Sequence, residues 1–308
     1  MFKQGINMKN QNYLSTSVAA IAGVILLIGA NVSSASVVDL GAASGFSVIS
    51  YNSSNVSDSA FQGGNIAVVN GNWTQSGGQQ TNAQMPTTVY LSTGHTNGGP
   101  AVETTVFNNT LVNNAWSAAT TASANLAALS PTQTLGAITT NTTITESLVG
   151  NYVLSISDIT LNHPESLTLS APAGSTFVLN ISGSIKINGS AGSGLLLAGG
   201  LTTNDVVYNL TGASSSLTTA GGGNGSLIQG IVLATGANAS VNLHPGEVDG
   251  AVITRTFTSS SGALVLTSIP EANSGLVLIP FVLGMLVLAL KKMVPAKDDE
   301  PVLAEGRA

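Results

Sequence analysis

Few residues in this chain combine a reactive side chain with a spacing that suggests chemistry. A glycosidase needs two carboxyl groups at a defined separation, and a polysaccharide lyase also needs a basic residue near its acids. Between residues 135 and 266 the only lysine is Lys186 and the only arginine is Arg255. We therefore expect no enzyme activity, and a polysaccharide-degrading enzyme is an alternative. Its candidate carboxylates are Asp158, Asp205, Glu247 and Asp249.

Two histidine–proline pairs are candidate metal ligands. His163 and His244 each follow a predicted strand, and Asp249 lies close behind the second. A metal site needs three or four converging ligands, whereas proline and glycine after histidine are typical of a tight corner. The glycine-rich residues 221–226 lack the aspartate of a calcium-binding repeat. We expect corners at these places, and neither a metal ion nor a cofactor.

Threonines and aromatic residues are the remaining candidates, and both concern binding rather than catalysis. An ice-binding surface needs a flat threonine array that repeats once per coil, and ordinary β-propensity explains surface threonines equally well. Among the aromatic residues that could stack on sugar rings, Trp73 has the most polar surroundings and is the better candidate for an exposed aromatic, with Tyr51 and Tyr90 as further candidates. The threonine pairs are Thr139–Thr140, Thr142–Thr143, Thr202–Thr203, Thr218–Thr219, and Thr254 with Thr256.

Most of the chain consists of short runs in which apolar and polar residues alternate. Each run is four to six residues long and is bounded by clusters of glycine, asparagine or proline. Such runs predict many short strands, as in a sandwich, a barrel or a solenoid. The uncharged Asn, Ser, Thr and Gly between them favour stacked parallel coils, in which every backbone group pairs with a neighbouring coil. The apolar residues that mark the runs lie within 46–49, 66–69, 89–91, 152–156, 167–169, 177–181, 185–187, 206–210, 241–243 and 264–266.

One segment has a different period. Over residues 102–129 apolar residues recur every three or four positions, alanine is dense and glycine is absent, so the pattern predicts an amphipathic helix. Pro131 marks its end. Its stripe of small residues suits packing against a flat sheet, and Trp116 is expected to pack there. The stripe consists of Phe107, Leu111, Ala115, Ala118, Ala122, Leu126 and Leu129.

The composition limits the function. Charged residues are only 7% of the 308 residues, the formal net charge is −6, and part of that charge lies after residue 292. A nearly neutral domain has no basic patch for nucleic acid, so no nucleic-acid partner is expected. The chain contains no cysteine, so packing and backbone pairing must supply its stability.

Both ends of the chain predict export. Residues 1–35 have the layout of a signal peptide, with cleavage between Ala35 and Ser36; an uncleaved anchor is the alternative. Residues 275–290 form a short apolar run that ends at Lys291 and Lys292, which would stop transfer and keep residues 293–308 in the cytoplasm. The domain between, residues 36–268, is expected outside the inner membrane, anchored at first by this helix, and at the cell surface or extracellular.

Two resemblances sharpen these expectations. Residues 167–183, 205–210, 225–234 and 248–253 resemble the choice-of-anchor A family of bacterial adhesive domains, with Asp249 in place of the usual asparagine and Thr254 in place of the final alanine. The same layout is similar to the bacterial ice-binding β-solenoid family. The resemblance spans about 38–266 and is persuasive from residue 135 onward.

The C-terminal residues 269–292 resemble a PEP-CTERM sorting signal, which implies an exosortase-type sorting enzyme as a partner; a plain membrane anchor is the alternative. The motif residues are Pro270, Glu271 and Ala272, where Ala272 replaces a proline. Together these resemblances imply a right-handed parallel β-solenoid with one long flanking helix, a signal helix and a C-terminal transmembrane helix. They imply a non-catalytic adhesive or matrix module whose partners are surface glycans or extracellular matrix, with an ice-binding protein as the alternative.

Overall fold

Alternating strands wind into three parallel sheets that stack coil upon coil. The computed structural model describes residues 38–76, 88–98, 104–189, 192–221 and 225–266. The chain separates into two compact units, Met1–Ile269 and Pro270–Ala308, and every described residue lies in the first. All strand pairs between consecutive coils are parallel, which confirms the predicted parallel β-solenoid. The right-handed sense of winding stays a prediction.

Sheet A is the longest, with ten strands. From one edge to the other it contains β8 (Thr104–Phe107), β6 (Thr88–Leu91), β4 (Asn65–Val68), β1 (Phe46–Ser50), β23 (Val252–Thr254), β20 (Ile231–Ala234), β17 (Val206–Leu210), β14 (Thr176–Ile181), β11 (Asn151–Ile156) and β9 (Gln133–Leu135). Most of its central strands are buried on both faces. Such strands consist of nearly continuous apolar residues because the solenoid interior covers one face and the helix layer covers the other.

Sheets B and C complete each coil. Sheet B has the order β12 (Ile159–Asn162), β15 (Ile185–Asn188), β18 (Ser216–Ala220), β21 (Ser240–Leu243), β24 (Thr256–Ser259), β2 (Ser54–Ser57), β5 (Trp73–Ser76) and β7 (Asn97–Gly98). Sheet C has the order β10 (Thr142–Thr145), β13 (Ser166–Ala171), β16 (Gly194–Gly199), β19 (Ser226–Gln229), β22 (Gly246–Asp249), β25 (Leu264–Leu266) and β3 (Ala60–Gln62). Buried and solvent-facing residues alternate along most of these strands, as expected for sheets with one open face.

The order of stacking is not the order of the sequence. β1 pairs with β23, with Ser50 opposite Thr254, and β2 pairs with β24. The coils built from residues 46–98 therefore stack on the last coils of the chain. The chain then returns along sheet A as a helix, and the remaining coils build back toward the first. The predicted strand runs are all confirmed as strands. They belong to one stack, in which the first coils of the chain pair with the last.

The helix α1 (Asn109–Ala127) is shorter than predicted. Residues 104–107 form β8, which pairs with β6, because Thr and Val there favour an extended chain. The side chain of Asn108 accepts a hydrogen bond from the Leu111 N–H at 2.9 Å and begins the helix. Phe107 is therefore not part of the helical stripe, and 56% of its surface is exposed. Leu129 also lies beyond the helix and is exposed.

Two apolar layers hold these elements together. Inside the coils, side chains from all three sheets form one cluster that includes Phe61, Trp73, Phe177, Tyr208 and Phe257. Between α1 and sheet A lies a second cluster, in which Trp116 and small helix residues pack on valines and isoleucines of the strands. The prediction that Trp116 packs against the solenoid is confirmed, since 9% of it is exposed.

A polar contact fixes the helix within this second layer. Asn209 on β17 is fully buried; its Oδ1 accepts from the Ser123 hydroxyl at 2.6 Å, and its amide donates to the Ser123 carbonyl at 3.0 Å. Asn180 on the next strand donates to the Leu126 carbonyl at 2.8 Å. The two asparagines are opposite each other in register, so they tie successive coils to one helix.

Candidate functional site

The outward surface of sheet B is the strongest candidate for a binding surface, and we call it the polar face. Sheet A is covered by α1, so most outward side chains of its central strands are buried. On the polar face one register column runs through eight strands, and all its members but the last carry a side chain that can hydrogen-bond. The column is Thr160, Lys186, Thr218, Asn242, Thr258, Asn55, Thr74 and Gly98.

The polar face is regular and almost uncharged. Neighbouring strands in a sheet lie about 4.8 Å apart, so the seven side chains of the column from Thr160 to Thr74 span about 29 Å. All seven are half-buried or exposed. Lys186 is the only charged outward residue of the sheet B strands. The face can therefore make many neutral hydrogen bonds and few ionic ones.

Several polar side chains on this face are already bonded to one another. The Thr258 hydroxyl donates to the Asn242 carbonyl oxygen, and the Asn242 amide donates to the Ser240 hydroxyl at 3.3 Å. Near the other end, the Asn188 amide donates to Asn162 at 3.3 Å. These links hold the side chains in fixed orientations, which lowers the entropy that a ligand must overcome.

A shallow depression lies on the polar face where the first coils of the chain meet the last. Its volume is about 450 Å³, and its lining combines hydroxyl, amide and imidazole groups. His244 and Ser260 contact each other at its rim. The outward-facing lining residues are Asn55, Ser57, Thr74, Ser76, His244, Thr258 and Ser260.

The four candidate carboxylates do not form one site. Asp158 lies at the turn before β12, where its Oδ1 accepts from the Ser184 N–H at 2.9 Å. Asp205 caps a short turn by accepting from the N–H and hydroxyl of Thr202 at 2.7 and 2.6 Å. Glu247 and Asp249 occupy the outward face of β22 in sheet C. Two of the four thus stabilise turns, and no pair of them lines the polar face.

The histidine–proline pairs lie at corners, as expected. His163 and Pro164 form a turn, closed by the Glu165 carboxylate that accepts from the Asn162 N–H at 2.8 Å. His244 lies in the bend between β21 and β22. Within the described ranges no three His, Asp or Glu residues gather as metal ligands would. Residues 222–224 of the glycine-rich corner lie outside those ranges.

The threonine pairs named from the sequence do not share a face. Thr142 and Thr143 lie in sheet C, Thr202 and Thr203 belong to a turn, and Thr254 is buried in sheet A. Only members of two pairs, Thr218 and Thr256, lie on the outward side of sheet B. The aligned threonines are instead Thr160, Thr218, Thr258 and Thr74. Sequence reasoning missed this set because the coils differ in length, and because Thr74 joins the column only through the non-sequential stacking.

Trp73, the candidate for an exposed aromatic residue, is not exposed. Its side chain is completely buried and packs edge-on to Phe61, with ring centroids 5.5 Å apart. β5 alternates, so Trp73 and Gln75 face the opposite side from Thr74 and Ser76. The polar neighbours of Trp73 are outward residues of the same strand. Tyr51 and Tyr90 are half-buried, and Tyr90 packs edge-on to Phe46 at 5.7 Å.

The predicted export and sorting residues lie outside the described part of the chain, as do residues 1–35, 269–292 and 293–308. Among the residues that are described, no helix combines the length and apolar character needed to cross a membrane. The undescribed residues are Ala35 and Ser36 of the cleavage site, Pro270, Glu271 and Ala272 of the sorting motif, and Lys291 and Lys292 of the membrane stop.

Three parallel sheets and a helix over one of them define the chain as a parallel β-solenoid with one flanking helix. The chain belongs to the family described as "Putative Ice-binding-like adhesive domain", whose model matches residues 11–265. A search of curated proteins gave no match. The resemblance to bacterial adhesive and ice-binding solenoids is confirmed at this level.

Solved structures agree on the fold. An ice-binding protein from an Arctic yeast (LeIBP) is 18% identical, with a TM-score of 0.54 over 78% of this chain and 98% of that one. The ice-binding protein of the Antarctic ascomycete Antarctomyces psychrotrophicus is 21% identical, with a TM-score of 0.51 over 75% and 98%. One from an Antarctic biological consortium is 19% identical, with a TM-score of 0.52 over 75% and 90%. At these identities the likeness concerns the fold alone.

Proposed function

We propose that this domain is a non-catalytic adhesive module that binds neutral, hydroxyl-rich surfaces, such as glycans or extracellular matrix, through the polar face. The observation that carries the proposal is the register column of hydrogen-bonding side chains, all neutral except Lys186, on the open outward face of sheet B. Each contact to such a surface is weak. Many identical domains displayed together make the total attachment strong, because each further binding event becomes intramolecular. This function requires export, in agreement with the predicted signal peptide and sorting signal.

Adhesion fits the polar face better than ice binding does. Threonines occupy only alternate coils of the column, and the long charged side chain of Lys186 interrupts them. The Thr258 hydroxyl is committed to Asn242, so it does not join a free, repeating hydroxyl array. Asparagine and threonine side chains differ in length, so their alternation places donors and acceptors at different distances from the sheet. This arrangement suits an irregular saccharide surface.

Ice binding is the second candidate, since four threonines share the register column and the family description includes ice-binding-like domains. Ice recrystallisation and thermal hysteresis measurements with the full-length chain separate the two proposals. Strong thermal hysteresis without glycan attachment would favour ice binding. Release of reducing sugars from any polysaccharide would contradict both, because neither includes catalysis.

The polar face is tested with charge substitutions on two adjacent strands. Asn55→Glu with Thr74→Glu places two carboxylates on exposed positions of the face, and we expect about tenfold weaker binding to a glycan or matrix panel, or about 1.4 kcal/mol. Thr143→Glu with Thr145→Glu adds the same charge to exposed positions of sheet C. This control should bind as the parent does. Equal binding by both variants would contradict the assignment of the polar face.

A further inference from the structure

A second depression lies at the corner where the first coils leave sheet A, beside the beginning of α1. We call it the corner pocket. Its volume is about 310 Å³, at the lower end of the roughly 300–1,000 Å³ usual for small-molecule sites. It is thus of a size for a small ligand rather than a long chain. The side chains that carry the argument are Tyr51, Asn70, Thr93, His95, Asn109 and Asn113.

Coil stacking brings these residues together from four separate segments. Ser50 lies opposite Val68, Val68 opposite Leu91, and Leu91 opposite Phe107. Two positions after these residues the chain reaches Asn52, Asn70, Thr93 and Asn109. These four residues are therefore stacked at the same corner of successive coils. The pocket consequently exists only because three coils and the helix start are in register.

Hydrogen bonds hold this corner in a single shape. The Asn70 N–H donates to the Tyr51 carbonyl at 2.6 Å, and the Thr93 N–H donates to Asn109 Oδ1 at 2.6 Å. The Asn113 amide donates to the Asn109 carbonyl at 2.7 Å. Because the backbone is fixed in this way, a ligand would meet a preformed site.

Tyr51 supplies a rigid aromatic surface at the wall of the pocket. The Arg255 guanidinium lies 4.5 Å from the Tyr51 ring centroid, and the Trp116 ring centroid lies 5.1 Å from it. Arg255 is itself anchored, since its Nε donates to the Gly236 carbonyl at 3.2 Å. These contacts, with Arg255 in the bend between β23 and β24 and with Trp116 on α1, leave the tyrosine little rotamer freedom to lose on binding.

The polar groups of the pocket are neutral, and several are available. Within the described ranges, the side chains of Asn70, Thr93 and His95 and the hydroxyl of Tyr51 make no hydrogen bond to the protein. No aspartate, glutamate, lysine or arginine lines the pocket. Amides, hydroxyls and an imidazole beside an aromatic ring match the alternating hydroxyl groups and apolar C–H faces of a sugar. A charged ligand would find no opposite charge in the lining.

We propose that the corner pocket binds a neutral saccharide unit, such as the end or branch of a surface glycan. This rests on the proposed adhesive function and adds a discrete sugar site to the extended polar face. Asn70, Thr93 and His95 would donate and accept hydrogen bonds with ring hydroxyls, while Tyr51 would contact the apolar side of the ring. The polar face then provides avidity, and the corner pocket provides selectivity among sugars.

The test is titration of the full-length chain with methyl glycosides of glucose, galactose, mannose and N-acetylglucosamine, followed by saturation-transfer NMR. We expect at least one glycoside to bind with a dissociation constant of about 1 mM or somewhat above, as a few hydrogen bonds and one ring contact would give. Asn70→Ala and His95→Ala each remove an available group from the surface of the pocket, and each should weaken that binding about tenfold.

A matched control and a second readout keep the two proposals apart. Asn238 is an exposed asparagine between sheets A and B on a more distant coil, so Asn238→Ala should bind the glycoside as the parent does. The Asn55→Glu, Thr74→Glu variant should lose surface attachment yet keep glycoside binding. If no neutral glycoside binds, or if Asn70→Ala and His95→Ala bind it as well as Asn238→Ala does, the corner pocket proposal is overturned. Loss of attachment in the charge variant would still support the polar face.

Discussion

The polar contact between α1 and sheet A gives a stability prediction that can be worked out from its geometry. Asn209→Ala removes three hydrogen bonds: from the Ser123 hydroxyl, to the Ser123 carbonyl, and to Asn180 Oδ1 at 2.8 Å. Each bond contributes about 1 kcal/mol net. The Ser123 hydroxyl is then buried without a partner, which costs a further 1–3 kcal/mol or so. We expect the free energy of unfolding to fall by about 4–6 kcal/mol.

The measurement is urea unfolding followed by circular dichroism and tryptophan fluorescence. Trp116 lies between α1 and the solenoid, so its emission reports on helix docking. Ser123→Ala alone removes one hydroxyl, and the double variant completes a mutant cycle with a coupling energy of about 1 kcal/mol or more. Asn125→Ala, an exposed helix position, is the control. A loss below about 1 kcal/mol for Asn209→Ala, or additive effects in the cycle, would refute the reasoning.

Two further predictions concern buried positions. Burial raises the pKa of Tyr208 far above its ordinary value, so above about pH 10 this side chain ionises only in the unfolded chain. The free energy of unfolding should therefore fall by about 1.4 kcal/mol per pH unit. Urea unfolding of Tyr208→Phe, measured between pH 9 and 11, should lack this pH dependence. Gly250 has φ 147°, and a Cβ there would lie 2.0 Å from the Gly230 oxygen. Gly250→Ala should therefore lower the free energy of unfolding by about 3 kcal/mol, whereas Gly136→Ala, where a Cβ meets open space, should leave it almost unchanged. An unchanged melting temperature for Gly250→Ala would contradict this.

Local patterns were enough to predict ten of the described strands and most of the helix. Alternation is a property of four to six neighbouring residues, so runs such as 177–181 and 206–210 identify themselves. The predicted start of the helix was less accurate, because residues 104–107 form a strand that pairs with β6. A local sequence pattern contains no information about such a long-range pairing. The error at Trp73 has a similar origin: its polar sequence neighbours lie on the other side of β5.

The candidate sites could not be predicted in the same way. Asn55 and Thr74 join the polar face only because β2 pairs with β24, some two hundred residues later in the chain. Coils differ in length, so the column from Thr160 to Thr74 has no fixed period in the sequence. Tyr51 was a sugar-stacking candidate from its residue type alone, but the sequence gives no sign that Asn70 and Thr93 follow it around one corner.

The positions of the two proposed sites follow from the pairing of the first coils of the chain with the last. The polar-face depression lies where β2 and β5 meet β24, and the corner pocket lies where the chain leaves β1, β4 and β6. Both therefore draw on the first coils, between residues 46 and 98, although the family resemblance is more persuasive farther along the chain. Strand pairing in the later coils supplies a rigid base, and the first coils present exposed or half-buried polar side chains at both sites. Selectivity between related domains should consequently depend on residues 51–95, which makes exchange of that segment between family members a direct way to transfer ligand preference.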